Sequence, residues 1–315
     1  DLVPWYNAHP DFADFKVDLS GKHAIVIGAG NVAMDVGRLL AVTPDELATT
    51  DIADHALEAL RKSSIRNTMI VARRGPEHAA FTSPELRDLL DLEHTDVLVN
   101  ADLVQQAIDR TQTWEEIPKD VRQNLEAFQN LSSIVPQGRD RELSINFLLA
   151  PIEIFGDTKV SGVRFSINKI EGAEVIPTGE TVDHPADIVI SAVGYTSAAL
   201  DGLPVINGKI RNIEGRITDS DNNHISGMYV VGWAKRGPSG VIGTNKNDAA
   251  LVVERMFEDL ANVPSRGTEF TPEIGFVDLA GWRKINESEI ARGESSGRPR
   301  VKFPTYEELL STARS

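Results

Sequence analysis

The chain of 315 residues contains no cysteine, which excludes disulfides, redox-active thiol pairs and iron–sulfur clusters held by its own thiolates. Any redox chemistry must therefore use an organic cofactor. The net charge of −15 argues against nucleic acid or an anionic membrane as a partner. The histidines lack ligand spacing and predict no metal site, and without a leader or an apolar span the sequence predicts a cytoplasmic protein.

The chain opens with an aromatic-rich stretch, residues 1–19, which we interpret as an interdomain connector. An apolar run over 22–28 is typical of a buried parallel strand, and apolar spacing predicts a helix over 32–42. A second helix is predicted over 44–61 and a second strand over 68–72. Together they form a βαβ unit with an additional helix in its crossover.

The later elements complete a predicted α/β fold. Helices are predicted over 82–92, 114–129 and 306–313, strands over 96–100, 144–149, 159–168 and 186–193, and a polar hairpin over 177–183. After Tyr195 the composition changes to Gly, Pro, Asn and short segments, so we predict one domain over 20–197 and another over 198–315.

A glycine motif, IGAGNVA at residues 27–33, stands between the first strand and its helix and fits G-x-G-x-x-A. Gly28 allows the tight turn, Gly30 lets the backbone approach a pyrophosphate, and Ala33 allows close packing of helix on strand. The helix N-terminus adds free N–H groups and a favourable dipole. The motif predicts a dinucleotide site, and the alternative is a tight turn without a ligand.

Two arginines, Arg73 and Arg74, follow the second strand, where an NAD-binding unit carries an acidic residue for the ribose hydroxyl. A guanidinium pairs with a 2′-phosphate, which a carboxylate would repel. The spacing from Gly28 exceeds the usual ~20 residues, and the additional crossover helix accounts for the difference. The pair predicts NADP(H) rather than NAD(H), with a solvated arginine pair as the alternative.

Glu85 is the candidate catalytic residue, and it has two interpretations. Thr82 and Glu85 have the spacing of a capping box at a helix start, which would be a complete structural explanation. Alternatively, the carboxylate lies beside a nicotinamide. Position alone favours the cap. Asp35 is predicted in the first turn of the helix over 32–42, where its charge would interact favourably with the helix dipole, and it needs no further role.

A second glycine-rich segment, MYVVGWAKRGPSGVIGTNKNDA at residues 228–250, leads from an apolar run into a turn and a helix start. Such a turn presents backbone N–H groups to a phosphate or a flat ring. It has no βαβ unit of its own, so we expect the rest of that site to lie elsewhere.

Four segments in this order carry a family resemblance: IVIGAGNVAMDVGRLL, VARRGPEHAAFTSPELRDL, ISAVGY and VVGWAKRGPSGVIGTNKNDA. They resemble the adrenodoxin reductase family, in particular its bacterial, mycobacterial-type NADPH–ferredoxin reductases. The resemblance implies an α/β fold with a Rossmann-like NADP-binding domain over 20–197 and the C-terminal part of a split FAD-binding domain over 198–315. It also implies that a hydride passes from NADPH to FAD, and that electrons then pass to a ferredoxin or adrenodoxin-type iron–sulfur protein.

The resemblance also assigns site residues. It implies that the NADP pyrophosphate is bound by Gly28, Gly30, Asn31 and Val32, and the 2′-phosphate by Arg73 and Arg74. Glu85 would lie in the nicotinamide pocket. The FAD ring would be faced by Trp233, Gly240, Val241 and Ile242, with Gly240 also near the nicotinamide.

One departure from the family is large. Its members begin with a G-x-G-x-x-G fingerprint for FAD, and their active-site histidine lies in that part, which this sequence does not contain. We therefore expect an N-terminal FAD-binding segment outside these residues, either in the same polypeptide or as a separate chain. Two alternatives stay open: a stand-alone, non-catalytic NADP-binding module, and an NADP-dependent dehydrogenase of a small substrate, for which no Tyr-x-x-x-Lys pair is present.

Overall fold

The computed structural model describes residues 1–195, 198, 200–238, 242–261, 263–264 and 276–315. Its helices are α1 (Leu2–Tyr6), α2 (Asn31–Ala41), α3 (Pro44–Leu47), α4 (Asp54–Arg61), α5 (Ser83–Arg87), α6 (Ala101–Thr111), α7 (Lys119–Ser132), α8 (Gly232–Arg236), α9 (Ile242–Leu260), α10 (Leu279–Glu294) and α11 (Tyr306–Arg314). Its strands are β1 (His23–Ile27), β2 (Asn67–Val71), β3 (Thr95–Val99), β4 (Arg141–Asn146), β5 (Leu149–Phe155), β6 (Gly162–Glu171), β7 (Glu174–Pro185), β8 (Ile188–Ser191), β9 (Val205–Ile206), β10 (Lys209–Ile210), β11 (Asn212–Ile213), β12 (Arg216–Thr218) and β13 (His224–Tyr229).

Contacts divide the chain into two compact units, unit 1 with Asp1–Val193 and Gly275–Ser315, and unit 2 with Gly194–Ile274. The centre of unit 1 is a parallel five-stranded sheet in the order β3-β4-β2-β1-β8. Strand β1 has three consecutive buried apolar residues, Ala24, Ile25 and Val26, because both faces of the sheet are covered at this strand. Strand β4 instead alternates buried and partly exposed residues. The predicted α/β class with a Rossmann-like core is thereby confirmed.

The two faces of this sheet have different covers. Helices α2, α4, α6 and α7 contribute to the main core, into which β1 sends Ala24 and Val26. Residues Ile25 and Val71 point to the other face, where Val163 and Phe165 of an antiparallel meander, β5-β6-β7, pack on them. The meander therefore packs on this face of the sheet, and its Asn168 contacts the carbonyl of Arg73 just beyond the carboxyl end of β2.

The segments at both ends of the chain pack into unit 1. Trp5 is buried, and its carbonyl contacts Nε2 of His55 at 2.8 Å. Arg298 donates to the carbonyls of Thr50 and Ile52 and to the carboxylate of Asp54. These contacts group residues 276–315 with unit 1, whereas the predicted second domain, 198–315, includes them. The predicted domain boundaries stay a prediction.

The predicted helix over 44–61 is wrong as a single element. Thr43 and Glu46 form a capping box that starts α3, and the hydroxyls of Thr49 and Thr50 then bond to carbonyls three residues earlier. These side chains compete with the helical backbone pattern. The chain turns there and begins again as α4 at Asp54.

Unit 2 consists of a two-stranded sheet, β9-β10, a three-stranded antiparallel sheet, β11-β12-β13, and the helices α8 and α9. Its buried apolar cluster is small and contains Ile210, Ile217 and Val230. Val252 of α9 is buried as well. None of the helices in the described ranges of the whole chain has the length and apolar character that crossing a membrane requires.

Candidate functional site

The glycine turn after β1 contains two glycines in different surroundings. Gly28 has a φ of +149°, and a Cβ built on it would lie 2.2 Å from the carbonyl oxygen of Ala192, which follows β8. A Cβ built on Gly30 would meet no atom of the described chain within 4 Å. Gly28 is therefore required by the fold, whereas Gly30 borders open space that a ligand could occupy.

Helix α2 begins directly at this open space. Its N-cap is Gly30, which has no side chain with which to satisfy the N–H groups of the first turn. Asn31 and Val32 occupy the first two helical positions, so their N–H groups are among those without an intrahelical partner. Such a helix N-terminus favours an anion. The geometry fits the pyrophosphate of a dinucleotide.

Asn31 also has a structural role that the sequence did not reveal. Its Oδ1 accepts the N–H of Thr82 at 2.8 Å, and its Nδ2 lies 3.5 Å from the Thr82 hydroxyl. Nearby, the N–H of Ala80 donates to the carbonyl of Ala29 at 2.7 Å. The glycine turn and the segment leading into α5 are thus held together.

The start of α5 excludes one of the two interpretations of Glu85. Thr82 is the N-cap of α5, but its side chain makes no capping hydrogen bond. The capping box that position alone favoured is therefore wrong. Because the cap does not account for Glu85, its carboxyl group is available for another role.

The arginine turn, which we define as residues 73–75, follows β2 on the same edge of the sheet as the glycine turn. Strands β1 and β2 are parallel neighbours with Ile27 opposite Val71, and the N–H of Gly28 donates to the carbonyl of Val71 at 2.9 Å. Arg73 and Arg74 are exposed, and neither side chain forms an ion pair within the part of the chain that the structure describes. The fold brings both predicted motifs to one edge, and the two cations remain available to an anion.

Two carboxyl groups on neighbouring helices have raised pKa values. Burial raises the pKa of Asp35, and Arg38 partly offsets this effect. Burial also raises the pKa of Glu85, to which the negative charge of Asp35 adds. Asp35 lies one turn later in α2 than predicted, since no acidic residue occupies the first turn of that helix. The expected contribution of Asp35 to the helix dipole is therefore wrong.

In unit 2, Trp233 of α8 stacks on Tyr195, with ring centroids 6.1 Å apart and an angle of 25° between the planes. Both rings are about half exposed, at 45% and 55%. Sequence reasoning singled out Trp233 and missed Tyr195, although Tyr195 ends one of the segments that carry the family resemblance. An exposed aromatic stack is a surface on which a flat ring can pack.

Helix α8 is anchored by Asp248 of α9, which accepts the N–H of Gly232 at 2.7 Å and the Nζ of Lys235 at 2.8 Å. Burial acts to raise the pKa of Asp248, but these two donors outweigh it and the pKa lies below its ordinary value. Gly240 and Val241, predicted to face the flavin, lie outside the described residues. Ile242 begins α9, and its side chain lies outside them as well.

Comparison with known proteins places these features in a family. The chain matches none of the protein-family models with which it was compared. It is 41% identical to the NADPH-ferredoxin reductase FprA of Mycobacterium tuberculosis over 332 aligned positions, which cover 98% of this chain and 71% of that protein. It is 34% identical to the mitochondrial NADPH:adrenodoxin oxidoreductase of Arabidopsis thaliana, covering 99% of this chain and 71% of that protein.

A solved structure agrees with the sequence comparison. The structure of Mycobacterium tuberculosis FprA in complex with NADPH superposes with a TM-score of 0.87 at 40% identity, over 100% of this chain and 72% of that one. The sequence identity and the shared fold extend over both units. The chain therefore belongs to the adrenodoxin reductase family of NADPH–ferredoxin reductases.

Proposed function

We propose that this chain is the NADPH-binding and flavin-contacting portion of an oxidoreductase that passes electrons from NADPH through FAD to a ferredoxin or adrenodoxin-type iron–sulfur protein. The observation that carries the proposal is a pair of exposed arginines, without an ion-pair partner among the described residues, beside an open glycine turn. Family membership supports the reaction, because relatives bear the names NADPH-ferredoxin reductase and NADPH:adrenodoxin oxidoreductase.

Charge supports NADPH over NADH as the electron donor. Arg73 and Arg74 are adjacent, exposed cations that form no ion pair with the described residues, so both can bind an anion. No side-chain carboxylate of the described chain pairs with Arg73 or Arg74, so a 2′-phosphate would meet both guanidinium groups. At the same edge of the sheet, the N-terminus of α2 would receive the pyrophosphate.

We assign Glu85 to the nicotinamide end of the bound nucleotide. Its carboxyl group lies on the helix that Asn31 ties to the glycine turn through Thr82, so it is held in relation to the nucleotide site. The raised pKa of Glu85 extends the pH range in which the group carries a proton. Glu85 would contact the nicotinamide and orient it, as the motif resemblance implies.

We propose that Trp233 contacts the isoalloxazine ring of FAD, with Tyr195 supporting the Trp233 ring from behind. The half-exposed stack fits a flat aromatic ligand. When bound, FAD accepts a hydride and releases electrons singly. Asp248 would hold the α8 segment in place through Gly232 and Lys235. The backbone at Gly240, Val241 and Ile242 stays a predicted part of this surface.

We further propose that residues beyond these 315 complete the flavin site, either in the same polypeptide or as a separate chain. The chain covers 71% of the length of its mycobacterial relative and contains one dinucleotide fingerprint. Helix α9 supports the proposal, because Val253, Phe257 and Leu260 recur at helical spacing and are 45%, 72% and 48% exposed. An apolar stripe of this kind indicates a surface that packs on further protein.

The nucleotide assignment is tested by Arg73→Ala and Arg74→Ala, with binding of NADP⁺ and NAD⁺ measured by calorimetry. Each variant should bind NADP⁺ about 10- to 100-fold more weakly, the loss of one charge-assisted contact. Binding of NAD⁺, which lacks the 2′-phosphate, should stay within about twofold. Arg122→Ala is the control, since Arg122 is an exposed arginine on α7. An equal loss for both nucleotides would refute the assignment.

The flavin assignment is tested by the visible spectrum and by NADPH-dependent dye reduction in the intact natural protein. A yellow protein that is active with NADPH supports it. A native protein that binds NADPH but never flavin would instead show a non-catalytic nucleotide-binding module. Intact mass would establish whether the completing residues belong to the same polypeptide.

A further inference from the structure

We propose that Asn168, Glu77 and Arg110 are positioning residues for the arginine turn, and that they set the preference for NADPH over NADH without touching the nucleotide. The inference rests on the proposed function of Arg73 and Arg74 and deepens it. Asn168 contacts the turn from the meander, and the ion pair between Glu77 and Arg110 contacts it from the other side.

From the meander, Asn168 of β6 donates its Nδ2 to the carbonyl of Arg73 at 3.0 Å. The next carbonyl, that of Arg74, accepts the N–H of Leu148 at 3.1 Å. Asn168 and Leu148 are themselves joined, since the N–H of Asn168 donates to the Leu148 carbonyl at 2.7 Å. Two consecutive peptide groups of the turn are therefore fixed by one small cluster.

One of the residues that make these contacts has an unusual backbone conformation. Leu148 adopts a left-handed conformation with a φ of +60°, which is uncommon for a bulky residue. Leu148 lies between β4 and β5, where the chain leaves the parallel sheet and the meander begins. The N–H of Leu148 donates to the carbonyl of Arg74. Asn168 is 7% exposed, so its amide is committed to the protein interior rather than to solvent.

From the other side, Gly75 lies against the carboxylate of Glu77. A Cβ built on Gly75 would lie 2.3 Å from Oε2 of Glu77 and 3.0 Å from Nη2 of Arg110. The Glu77 side chain is 1% exposed, and its Oε1 accepts from Nε of Arg110 at 2.6 Å. The turn therefore packs closely on this ion pair, and a larger residue at position 75 would have to displace the Glu77 carboxylate.

The ion pair is not arranged for stability alone. Oε2 of Glu77 and Nη2 of Arg110 are buried, and neither has a hydrogen-bond partner among the described residues. A buried pair with unsatisfied atoms does not recover its full cost of desolvation, and apolar residues can often replace it. A positioning role explains the pair better: Glu77 supports Gly75, and Arg110 neutralises a carboxylate that would otherwise repel a phosphate beside the turn.

The mechanism follows from the geometry of the backbone. The carbonyl of Arg73 fixes the peptide plane between the two arginines, and the carbonyl of Arg74 fixes the plane that follows them. These planes restrict the directions in which the two guanidinium groups leave the turn. Two aligned guanidinium groups converge on one phosphate, whereas a turn free to rotate would present them one at a time. NADH has no phosphate at this place and gains nothing from the alignment.

The test uses Asn168→Ala and Glu77→Gln, with NADP⁺ and NAD⁺ titrated by calorimetry into each variant. We expect each to bind NADP⁺ about fivefold more weakly, the effect of one net hydrogen bond, and NAD⁺ within about twofold. Glu171→Gln is the matched control, because Glu171 also lies on β6 and pairs with Lys169 on the surface. It should leave both affinities unchanged.

The two variants remove different supports, so the test survives the failure of one of them to fold. Thermal melting verifies that each titrated protein is folded. If Arg73→Ala shows the expected selective loss but neither Asn168→Ala nor Glu77→Gln does, the positioning role is wrong and the nucleotide assignment stands. Equal losses for NADP⁺ and NAD⁺ in both variants would likewise overturn it and indicate a general structural role. If Arg73→Ala itself is unselective, the proposed function fails first.

Discussion

Gly28 and Gly30 stand two positions apart in one turn, and the structure separates their roles. Gly28 adopts a φ of +149° and touches the backbone at Ala192, which cannot move aside for a side chain. Gly30 has a φ of −121° and open space around it, so the backbone at this position does not require a glycine. A nucleotide bound at the N-terminus of α2, as proposed, would require one, because a Cβ would occupy space that the pyrophosphate needs.

We predict opposite effects for alanine at the two positions. Gly28→Ala should lower the free energy of unfolding by about 2–4 kcal/mol, through backbone strain and a clash with the Ala192 carbonyl. Gly30→Ala should cost less than about 1 kcal/mol, the difference between glycine and alanine at an N-cap, and yet abolish NADP⁺ binding. Urea unfolding and calorimetry measure the two effects. Retained NADP⁺ affinity in Gly30→Ala would place the pyrophosphate elsewhere.

The raised pKa of Asp35 makes a prediction about pH. In the folded state Asp35 binds its proton more tightly than in the unfolded chain, so protonation stabilises the fold. That contribution is present at low pH and is lost as the pH rises from 3.8, the ordinary value, through the raised folded pKa. Above this window the buried charge destabilises the protein.

Asp35→Asn should therefore unfold at a higher urea concentration than the unmodified chain at pH 8, and the difference should shrink as the pH falls toward 4. The same change should lower the pKa of Glu85, since the charge of Asp35 contributes to raising it. Asp91→Asn, at an exposed aspartate, is the control and should show neither effect. A stability difference that does not vary with pH would contradict the argument.

At the scale of elements, hydrophobic pattern predicted the parts of the fold whose apolar residues face one core. The sequence predicted β1, β2, β3 and α2 within a residue or two of their observed ends. It missed α6, although Asn100 caps that helix through the N–H of Leu103 and apolar residues follow at helical spacing. It also missed β5, a strand of the antiparallel meander in which four consecutive residues are exposed and none is buried.

The candidate site divides in the same way. Gly28, Gly30, Arg73 and Arg74 could be identified because each follows a strand in a local motif. Asn168 could not, because its contact with Arg73 joins residues 95 positions apart and depends on how the meander folds back. The capping box was predicted wrongly for a related reason: Thr82 bonds to Asn31, a residue 51 positions away, and no local spacing reveals this.

At this scale the C-terminal segment offers a prediction. Arg298, whose side chain is 8% exposed, donates to two carbonyls and one carboxylate of the segment between α3 and α4. Arg298→Ala removes three hydrogen bonds, of which only the one to the carbonyl of Ile52 is partly buried, and should lower the free energy of unfolding by about 1–2 kcal/mol. Arg314→Ala, at an exposed arginine of α11, should change it by less than about 0.5 kcal/mol. Equal urea midpoints for the two variants would show that Arg298 does not anchor the segment.

At the scale of the whole molecule, the two units differ in how much apolar surface each buries. The main cluster of unit 1 includes residues from α1 through Leu148, whereas the cluster of unit 2 consists of Ile210, Ile217 and Val230 with a few partly buried neighbours. Small cores give low local stability because surface burial is the main favourable contribution to folding. Unit 2 should therefore open more readily.

Hydrogen exchange at the backbone should show this difference. In this chain without ligands, amides of β11, β12 and β13 should exchange through openings of lower free energy than amides of β1, β2 and β4. Adding urea below the main transition should accelerate exchange in unit 2 first. Equal protection in both units would contradict the prediction and show that they open together.

The hydrogen bond between Asn168 and the carbonyl of Arg73 has a consequence for how such a protein changes its cofactor over evolution. A lineage that exchanges only the two arginines for an acidic residue would inherit a turn still shaped by the meander for a phosphate. If Asn168 positions the turn as proposed, a clean switch of preference would require changes in β6 as well as in the turn, although the two segments are far apart along the chain. On this proposal the preference for NADPH depends on both the turn and β6, and a laboratory graft of the turn should include β6 with it.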